Sequence, residues 1–499
     1  MKKLYRFSAI ALLVLPLVFT SCSDYLDRDD DDNITEADVF ARYEKVNGLV
    51  SDVYAAAKKA DRPLVFFEHF SNSAITDECE GTNVEGNITN NFNNGAWNPN
   101  SLPGSVGQYW EALYEGIRKA NLIIENVQKY NTPDNPQQDG DLRNRIGEMY
   151  FMRGYFHMLL LRMYGEAPYI DRVINAGDNM DFKKESVHSM VEKIVTDAQT
   201  AYGMVPNKYV KTSENFGRVD KGACLGLISF VRWVAATPLW NGASQYGYNL
   251  RRVFENEYAY DATRWRKAKE AAKAVLDFEV GGTKRYSLYT KHDANDFKDP
   301  ADGNLNDSRV YARLWDMFYD MDAFANEYVF FMTKSKDQAW QGDIYPPSRE
   351  GSSRQQPVQE QVDEYEYIVG DYGYPVYSAE ARKGGYDDTN PYVKGTRDPR
   401  FYRDVIYHGA PYRNNKNESK TINTASGSDK IGATNATTTG YYLRKFQQES
   451  WNKSGNFSIN APAIWRLPEF IYIYAEACNE LGEDIDEACL LYTSPSPRD

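Results

Sequence analysis

The stretch WEALYEGIRKANLIIENV, residues 110–127, decides the fold class. Its apolar residues recur at the i, i+3, i+4 and i+7 spacing that places them on one face of an α-helix. Similar helical stripes follow along the chain, at about 142–163, 186–201, 219–233, 265–276 and 466–481. Their succession is typical of stacked helix-turn-helix repeats. We therefore predict a mainly α-helical scaffold built from tetratricopeptide-like helical pairs.

Two regions interrupt this helical pattern. Residues 71–106 and about 285–460 are rich in Asn, Gly, Ser, Thr and Tyr and show no sustained period. Long segments of this kind usually carry function when they belong to a compact domain. We predict that they form a long, irregular, loop-rich binding subdomain, with short strands at Glu327–Met332 and Tyr441–Phe446.

Charge and motif content exclude several classes of function. The 499 residues carry 57 Lys and Arg against 71 Asp and Glu, and the net charge of −14 argues against a nucleic-acid partner. The five histidines form no paired metal-binding motif, and neither a phosphate-binding glycine motif nor a nucleophile elbow occurs, so we predict no metal and no cofactor. Glycoside hydrolysis stays open at this point, because it requires only two carboxylates at a suitable spatial separation.

Aromatic residues make up 14% of the chain, including 38 Tyr and 9 Trp. Sugar rings bind such side chains because their apolar C–H faces stack on an exposed ring while flanking polar groups bond the hydroxyls. Trp97 in the segment NNGAWNPN fits this pattern, and Trp340 in QAWQGD, followed by Tyr345, fits it next. Each could instead fill a gap in the scaffold, as we expect for Trp233 on its helical stripe.

The N-terminus has the layout of an export signal. A basic start and an apolar run from Ala9 to Phe19 precede Thr20-Ser21-Cys22, which resembles a bacterial lipobox. We expect residues 1–21 to be removed as a signal peptide and Cys22 to be acylated, which would attach the protein to a membrane through lipid. An ordinary signal peptide with a thiol nearby is the alternative.

Residues 22–33 form an acidic run that cannot pack into a core. We expect a solvated tether. Acidic residues next to an acylated cysteine resemble the export tag that sends some Gram-negative lipoproteins to the cell surface, and a flexible spacer is the other interpretation.

The last eleven residues, CLLYTSPSPRD at 489–499, resemble the translation of a sequencing-library adapter. We exclude them from the prediction of the fold, so that the natural sequence would continue past 488. The helix predicted at Arg466–Leu481 would then leave part of its apolar stripe uncovered, including Ile471, Tyr474 and Ala475.

Several segments together resemble the SusD/RagB family of glycan-binding outer-membrane lipoproteins. They are SDYLD at 23–27, WEALYEGIRKAN at 110–121, EMYFMRGY at 148–155, YGEAP at 164–168, NEYVF at 326–330, DPR at 398–400 and RLPEFIYIYAEA at 466–477. Their order and spacing extend over nearly the whole chain. The resemblance implies one domain over 34–488, with four tetratricopeptide-like pairs and an irregular binding subdomain.

The same resemblance implies a function. Family members are non-catalytic proteins of the cell outer membrane that face the exterior, capture glycans and sit like a lid on a SusC-like TonB-dependent transporter. The loop before the long helix contributes to their glycan site, which carries the role over to Trp97, Asn100 and Asp77 here. The alternatives are a surface-anchored glycoside hydrolase and a tetratricopeptide scaffold that binds protein or peptide ligands.

Overall fold

The computed structural model describes residues 35–60, 69–82, 88–98, 100–101, 104–130, 139–209, 215–243, 254–289, 317–318, 320–332, 342–393, 395–413, 419–447 and 463–493. The signal peptide, Cys22, the acidic tether and Trp340 lie outside these residues. Among the described residues, no helix combines the length and the apolar character needed to cross a bilayer.

Helices dominate the described chain, as the sequence predicts. In chain order they are α1 Glu36–Phe40, α2 Tyr43–Ala60, α3 Ile88–Asn93, α4 Gly104–Tyr130, α5 Asp139–Tyr164, α6 Val187–Met204, α7 Lys221–Ala236, α8 Ala262–Leu276, α9 Met321–Asn326, α10 Gln359–Asp363, α11 Ala379–Lys383, α12 Pro399–Asp404, α13 Leu467–Leu481 and α14 Ile485–Thr493. Short 3₁₀ turns occur at Asn72–Ala74, Glu255–Tyr258 and Pro347–Arg349.

The strands are short. They are β1 Cys79–Gly81, β2 Glu279–Val280, β3 Thr283–Lys284, β4 Tyr328–Phe331, β5 Gln355–Pro357, β6 Tyr367–Val369, β7 Tyr372–Tyr374, β8 Val405–Ile406, β9 Pro411–Arg413, β10 Ser419–Thr421, β11 Tyr442–Leu443 and β12 Ala463–Arg466. They form the antiparallel pairs β1–β5, β2–β3, β4–β12, β6–β7, β8–β11 and β9–β10. The strands predicted near 327–332 and 441–446 are therefore confirmed as β4 and β11.

The long helices pack in sequence order. Helix α2 lies on α4, and α4 on α5, α5 on α6, α6 on α7 and α7 on α8. Helix α8 then meets α13, although most of the loop-rich segment lies between them in the chain, and α13 packs on α14. This arrangement confirms the scaffold of helical pairs.

Capping residues mark the ends of several scaffold helices. The side chains of Ser186, Asp220 and Asp261 accept hydrogen bonds from backbone N–H groups in the first turns of α6, α7 and α8. Gly165 and Gly482 follow α5 and α13 with φ of +70° and +65°, a conformation that glycine adopts without steric cost.

Buried charged residues join α5 to its neighbours. Glu148 on α5 is fully buried and pairs with Arg218 at 2.9 Å, while the hydroxyl of Tyr54 from α2 donates to it at 3.0 Å. Farther along α5, Arg153 pairs with Asp197 of α6 at 2.5 Å. Each charge is compensated, which a buried ionic group requires.

The loop-rich subdomain has its own small core, in which Tyr345, Phe401, Ile406 and Tyr442 are among the buried members. The β4–β12 pair connects this region to the scaffold by packing on α7. Gly226 permits the close approach, since a Cβ atom there would lie 2.9 Å from Val329 Cγ1.

The C-terminal stripe is covered, and the expectation of an uncovered one is wrong. Ile471 is 7% exposed and Tyr474 is fully buried, because α13 packs between α8 and α14. The Tyr474 hydroxyl donates to Glu487 of α14 at 2.8 Å. Helix α14 runs into the segment that resembles an adapter, and the origin of that segment stays a prediction.

Candidate functional site

Two chain segments that precede α4 form a loop cluster around Trp97. We call residues 69–82, 88–98 and 100–101 the Trp97 cluster. Strand β1 pairs with β5, which aligns Cys79 with Pro357 and attaches the cluster to the loop-rich subdomain. The Asn93 side chain donates to the Ala74 carbonyl at 3.1 Å and joins the two segments.

Trp97 is half-buried at the surface of this cluster. Its ring meets the Phe92 ring edge to face, with centroids 4.9 Å apart. It also packs against a small apolar group consisting of Phe70, Ala74, Ile75 and Ile88. These contacts hold the indole in place while part of the residue stays accessible to solvent.

Asp77 and Asn100 are both exposed and lie in the same cluster. Asp77 occupies a turn in which the Thr76 hydroxyl donates to the Ser73 carbonyl at 2.8 Å. The backbone N–H of Asn100 donates to the side chain of Asn98 at 3.0 Å, which shapes the loop after Trp97. Asp77 and Asn100 are thus exposed residues of the loop cluster that contains Trp97.

The charge of this feature is acidic. Between Arg62 and Arg118 the sequence contains no lysine or arginine, whereas Asp77 and Glu78 are exposed carboxylates. Burial lowers the pKa of the Lys445 ammonium group in the loop-rich subdomain, and the charge of Glu78 opposes this shift. The exposed part of the cluster therefore combines aromatic, amide and carboxylate groups.

Tyr345 does not belong to the surface, and here the structure corrects the sequence-based prediction. Its side chain is fully buried, and the Arg349 guanidinium lies over the ring 4.7 Å from its centroid. The ring faces are occupied because Tyr345 anchors the core of the loop-rich subdomain. Its position beside a polar, Trp-containing segment suggested exposure, and sequence alone could not show which way the chain turns.

Sequence reasoning concentrated on tryptophan and missed an exposed tyrosine surface. Tyr372 at the β6–β7 turn is 68% exposed and Tyr377 just beyond it is 55% exposed. The Tyr377 hydroxyl donates to Asp363 at 3.1 Å, and its ring meets that of Tyr386 edge to face. The repeated tyrosines of YIVGDYGYPVY were the available signal.

The titratable residues of the described chain show no metal-binding arrangement. No group of three or more His, Cys, Asp or Glu side chains in the described ranges could hold a metal ion. Cys79, Cys224 and Cys478 are buried thiols, and burial raises the pKa of Cys79 to about 12.

Comparison with known proteins defines the class and then the family. A family model described as "Starch-binding associating with outer membrane" matches residues 24–231, and a model of the SusD family matches residues 323–491. The helical scaffold and these matches define the class as a helical protein whose relatives are described as associating with the outer membrane. The chain belongs to the SusD/RagB family.

Individual relatives are distant in sequence. The SusD-like protein P2 of Formosa agariphila is 24% identical over 202 residues, which cover 40% of this chain and 38% of that protein. The chain therefore aligns with well under half of the length of this curated relative.

Solved structures show the fold over most of the chain. A SusD-like protein from Bacteroides fragilis superposes with a TM-score of 0.68 at 19% identity, covering 94% of this chain and 80% of that one. A SusD homolog from Bacteroides thetaiotaomicron gives 0.61 at 14% identity, covering 93% and 79%. A laminarin-binding SusD-like protein gives 0.52 at 16% identity, covering 91% and 84%.

Proposed function

We propose that this protein is a non-catalytic surface lipoprotein that captures oligosaccharides or polysaccharides and delivers them to a SusC-like TonB-dependent transporter. The observation that carries the proposal is the Trp97 cluster. An indole held by apolar contacts, in a loop cluster that also carries an exposed carboxylate and an exposed amide, offers the kinds of group that bind sugar rings.

The ligand site comprises Trp97 as the stacking platform, with Asp77 and Asn100 as hydrogen-bonding partners. Trp340 stays a second candidate platform from the sequence. Aromatic anchors of this kind usually dominate binding energy, because a large flat ring is buried at little cost in conformational entropy.

Removing the Trp97 ring tests the site. Trp97→Ala should weaken binding to soluble glycans, starch and laminarin among them, by roughly tenfold or more, as measured by affinity electrophoresis and calorimetry. Trp97→Phe should lose less, since a ring remains in contact with Phe92. Tyr260→Ala removes an exposed ring of the helical scaffold, outside both aromatic surfaces, and serves as the control.

Melting temperatures distinguish a ligand platform from a scaffold residue. Because Trp97 is only half-buried in a peripheral cluster, Trp97→Ala should change the melting temperature little. Truncation of a core tryptophan costs roughly 3 to 5 kcal/mol. A large melting shift with unchanged glycan affinity would move Trp97 from the site to the scaffold.

Turnover and partner assays test the remaining parts of the proposal. Incubation with a bound polysaccharide should release no reducing ends, and their release would favour the glycoside hydrolase instead. Crosslinking in the native outer membrane should recover a TonB-dependent transporter. Recovery of unrelated peptide ligands, without glycan binding, would favour the scaffold alternative.

A further inference from the structure

A pocket separate from the Trp97 cluster lies at the start of α13, where this helix packs beside α7 and follows β12. It has a volume of about 400 Å³, a size suited to a small ligand. Trp233, Ile464, Arg466, Glu469, Tyr472 and Glu476 are among the residues that line it. It shares no residue with the Trp97 cluster.

Aromatic rings from two helices border this pocket. Trp233 of α7 is half-buried, and its indole N–H donates to a Glu476 carboxylate oxygen at 2.7 Å, which fixes the orientation of the ring. Tyr472 of α13 is 53% exposed. The helical stripe assigned Trp233 to the core, and the structure has it half-buried, packed against the core and bordering an open pocket.

Two carboxylates share the face of α13 that carries Tyr472. Glu469, Tyr472 and Glu476 follow the i, i+3, i+7 spacing of one helix face. Glu469 is half-buried, and no lysine or arginine nitrogen of the described residues lies within salt-bridge distance of it. A carboxylate in this position loses hydration without gaining a partner.

The charged groups around Glu469 compensate its carboxylate only in part. Burial raises the pKa of Glu469 to about 7, against the opposing influence of Arg162 from α5 and Arg466 from β12. Arg466 is engaged elsewhere, because its Nε donates to Glu327 at 2.8 Å. Arg400, which acts on Tyr472, is similarly paired with Asp398 at 2.6 Å.

We propose that this pocket binds the ammonium group of an organic cation between the Trp233 and Tyr472 rings, with Glu469 and Glu476 as its counter-ions. Aromatic faces attract cations through the ring quadrupole, and the attraction grows when water is displaced. A carboxylate beside the rings adds a charge–charge attraction, which favours a cationic ligand over a neutral one. The proposal is independent of the glycan site at Trp97.

Glucosamine and glucose form a matched pair of probes, since they differ by an ammonium group in place of one hydroxyl. We would titrate both by NMR into the Trp97→Ala variant, so that the first site does not contribute. Glucosamine should bind at least about tenfold more tightly than glucose. Equal binding of the two sugars, or no binding of glucosamine, overturns the proposal.

Substitution of Glu469 identifies the counter-ion. Glu469→Gln should weaken glucosamine binding by roughly tenfold while preserving the fold, because it replaces a poorly compensated acid by a neutral side chain of the same size. Glu480→Gln changes an exposed residue of the same helix outside the pocket and should have no effect. Unchanged binding in Glu469→Gln contradicts the assignment.

A probe with a permanent charge separates the ionisation of the pocket residues from that of the ligand. Tetramethylammonium should bind more tightly at about pH 8 than at about pH 6, because Glu469 gains its charge across this interval while the surrounding arginines stay cationic. The dependence should disappear in Glu469→Gln. A flat profile in the unsubstituted protein removes Glu469 from the proposed site.

Discussion

His157 is held in its neutral form in the middle of α5. The residue is fully buried and stacks on the Tyr169 ring with centroids 3.7 Å apart. Its Nδ1 bonds the Arg153 carbonyl at 2.8 Å, and its Nε2 accepts from the Ile170 N–H at 3.0 Å. Burial, with the nearby charges of Arg153 and Lys193, lowers the pKa of His157 to about 3.

This lowered pKa predicts a loss of stability in mild acid. Below the ordinary histidine pKa near 6.5, His157 is protonated in the unfolded chain, whereas in the folded protein it stays neutral down to about pH 3. Protons therefore bind preferentially to the unfolded chain, and stability falls as the pH falls. At pH 5 the protonation of His157 in the unfolded chain lowers the free energy of unfolding by about 2 kcal/mol.

Urea denaturation at about pH 7 and about pH 5 measures this loss. His157→Gln should lower stability at both pH values but reduce the difference between them by about 2 kcal/mol. His408→Gln, which changes an exposed histidine, is the control. An unchanged difference in His157→Gln contradicts the prediction.

The acidic surroundings of Trp97 predict a preference among glycans. With Asp77 and Glu78 exposed and no lysine or arginine between Arg62 and Arg118, a sulfated or uronic glycan would meet like charge. Uncharged glycans should therefore bind more tightly than their sulfated derivatives, and low salt should increase the difference.

Reversing one charge tests this preference. Asp77→Lys should improve binding of the sulfated form relative to the neutral form by several-fold, whereas Asp77→Asn should act in the same direction by less. Glu270→Lys on α8 provides the same charge change at an exposed position of the helical scaffold. Preference for the sulfated glycan in the unsubstituted protein would contradict the argument.

At the scale of elements, helix periodicity and capping residues made the scaffold predictable. The boundaries of α6 and α13 follow from Ser186 and Gly482, and local sequence is sufficient to indicate them. The pairing of α8 with α13 was not predictable, because the two helices are brought together across the loop-rich segment by contacts that leave no periodic signal.

The loops illustrate the same limit for the site. A tryptophan in an Asn-rich segment indicated a surface aromatic at Trp97, which the structure has half-buried, whereas the same reasoning failed at Tyr345, which is fully buried. Composition describes the polarity of a loop, but the side chain that turns inward is chosen by tertiary packing. Among the described residues, the β1–β5 pair and the core around Phe401 determine which loop side chains are buried.

Two helix glycines should respond in opposite ways to substitution by alanine, because only Gly226 lies where β4 packs on α7. Gly226→Ala should destabilise the protein by about 1 to 3 kcal/mol, because the added methyl group would lie 2.9 Å from Val329 and must displace the strand. Gly203→Ala on α6 has no atom within 4 Å of its new Cβ and should stabilise by about 0.5 to 1 kcal/mol. Chemical denaturation of both variants measures the contrast, and equal effects would show that close approach at Gly226 is not limiting.

At the scale of the whole molecule, scaffold and binding surface are built from different parts of the chain. The stacked helices supply most of the core, whereas the Trp97 cluster connects to the loop-rich subdomain through β1–β5. Sites on loops supported by a rigid scaffold can vary in sequence without loss of the fold. This division explains how relatives below 20% identity share the architecture over about nine-tenths of this chain.

Attachment of the molecule to the membrane is predicted to depend on Cys22. The described helices include none that could span a bilayer, and the lipobox-like Thr20-Ser21-Cys22 offers a covalent lipid anchor instead. A single acyl chain gives only marginal binding, so stable attachment requires more than one chain on this residue. Cys22→Ser should therefore move the protein from the membrane fraction to the soluble fraction after cell lysis. Cys489→Ser changes a second, exposed cysteine and should leave the distribution unchanged. Membrane retention of Cys22→Ser would show that protein contacts, with the transporter for example, rather than lipid hold the molecule in place.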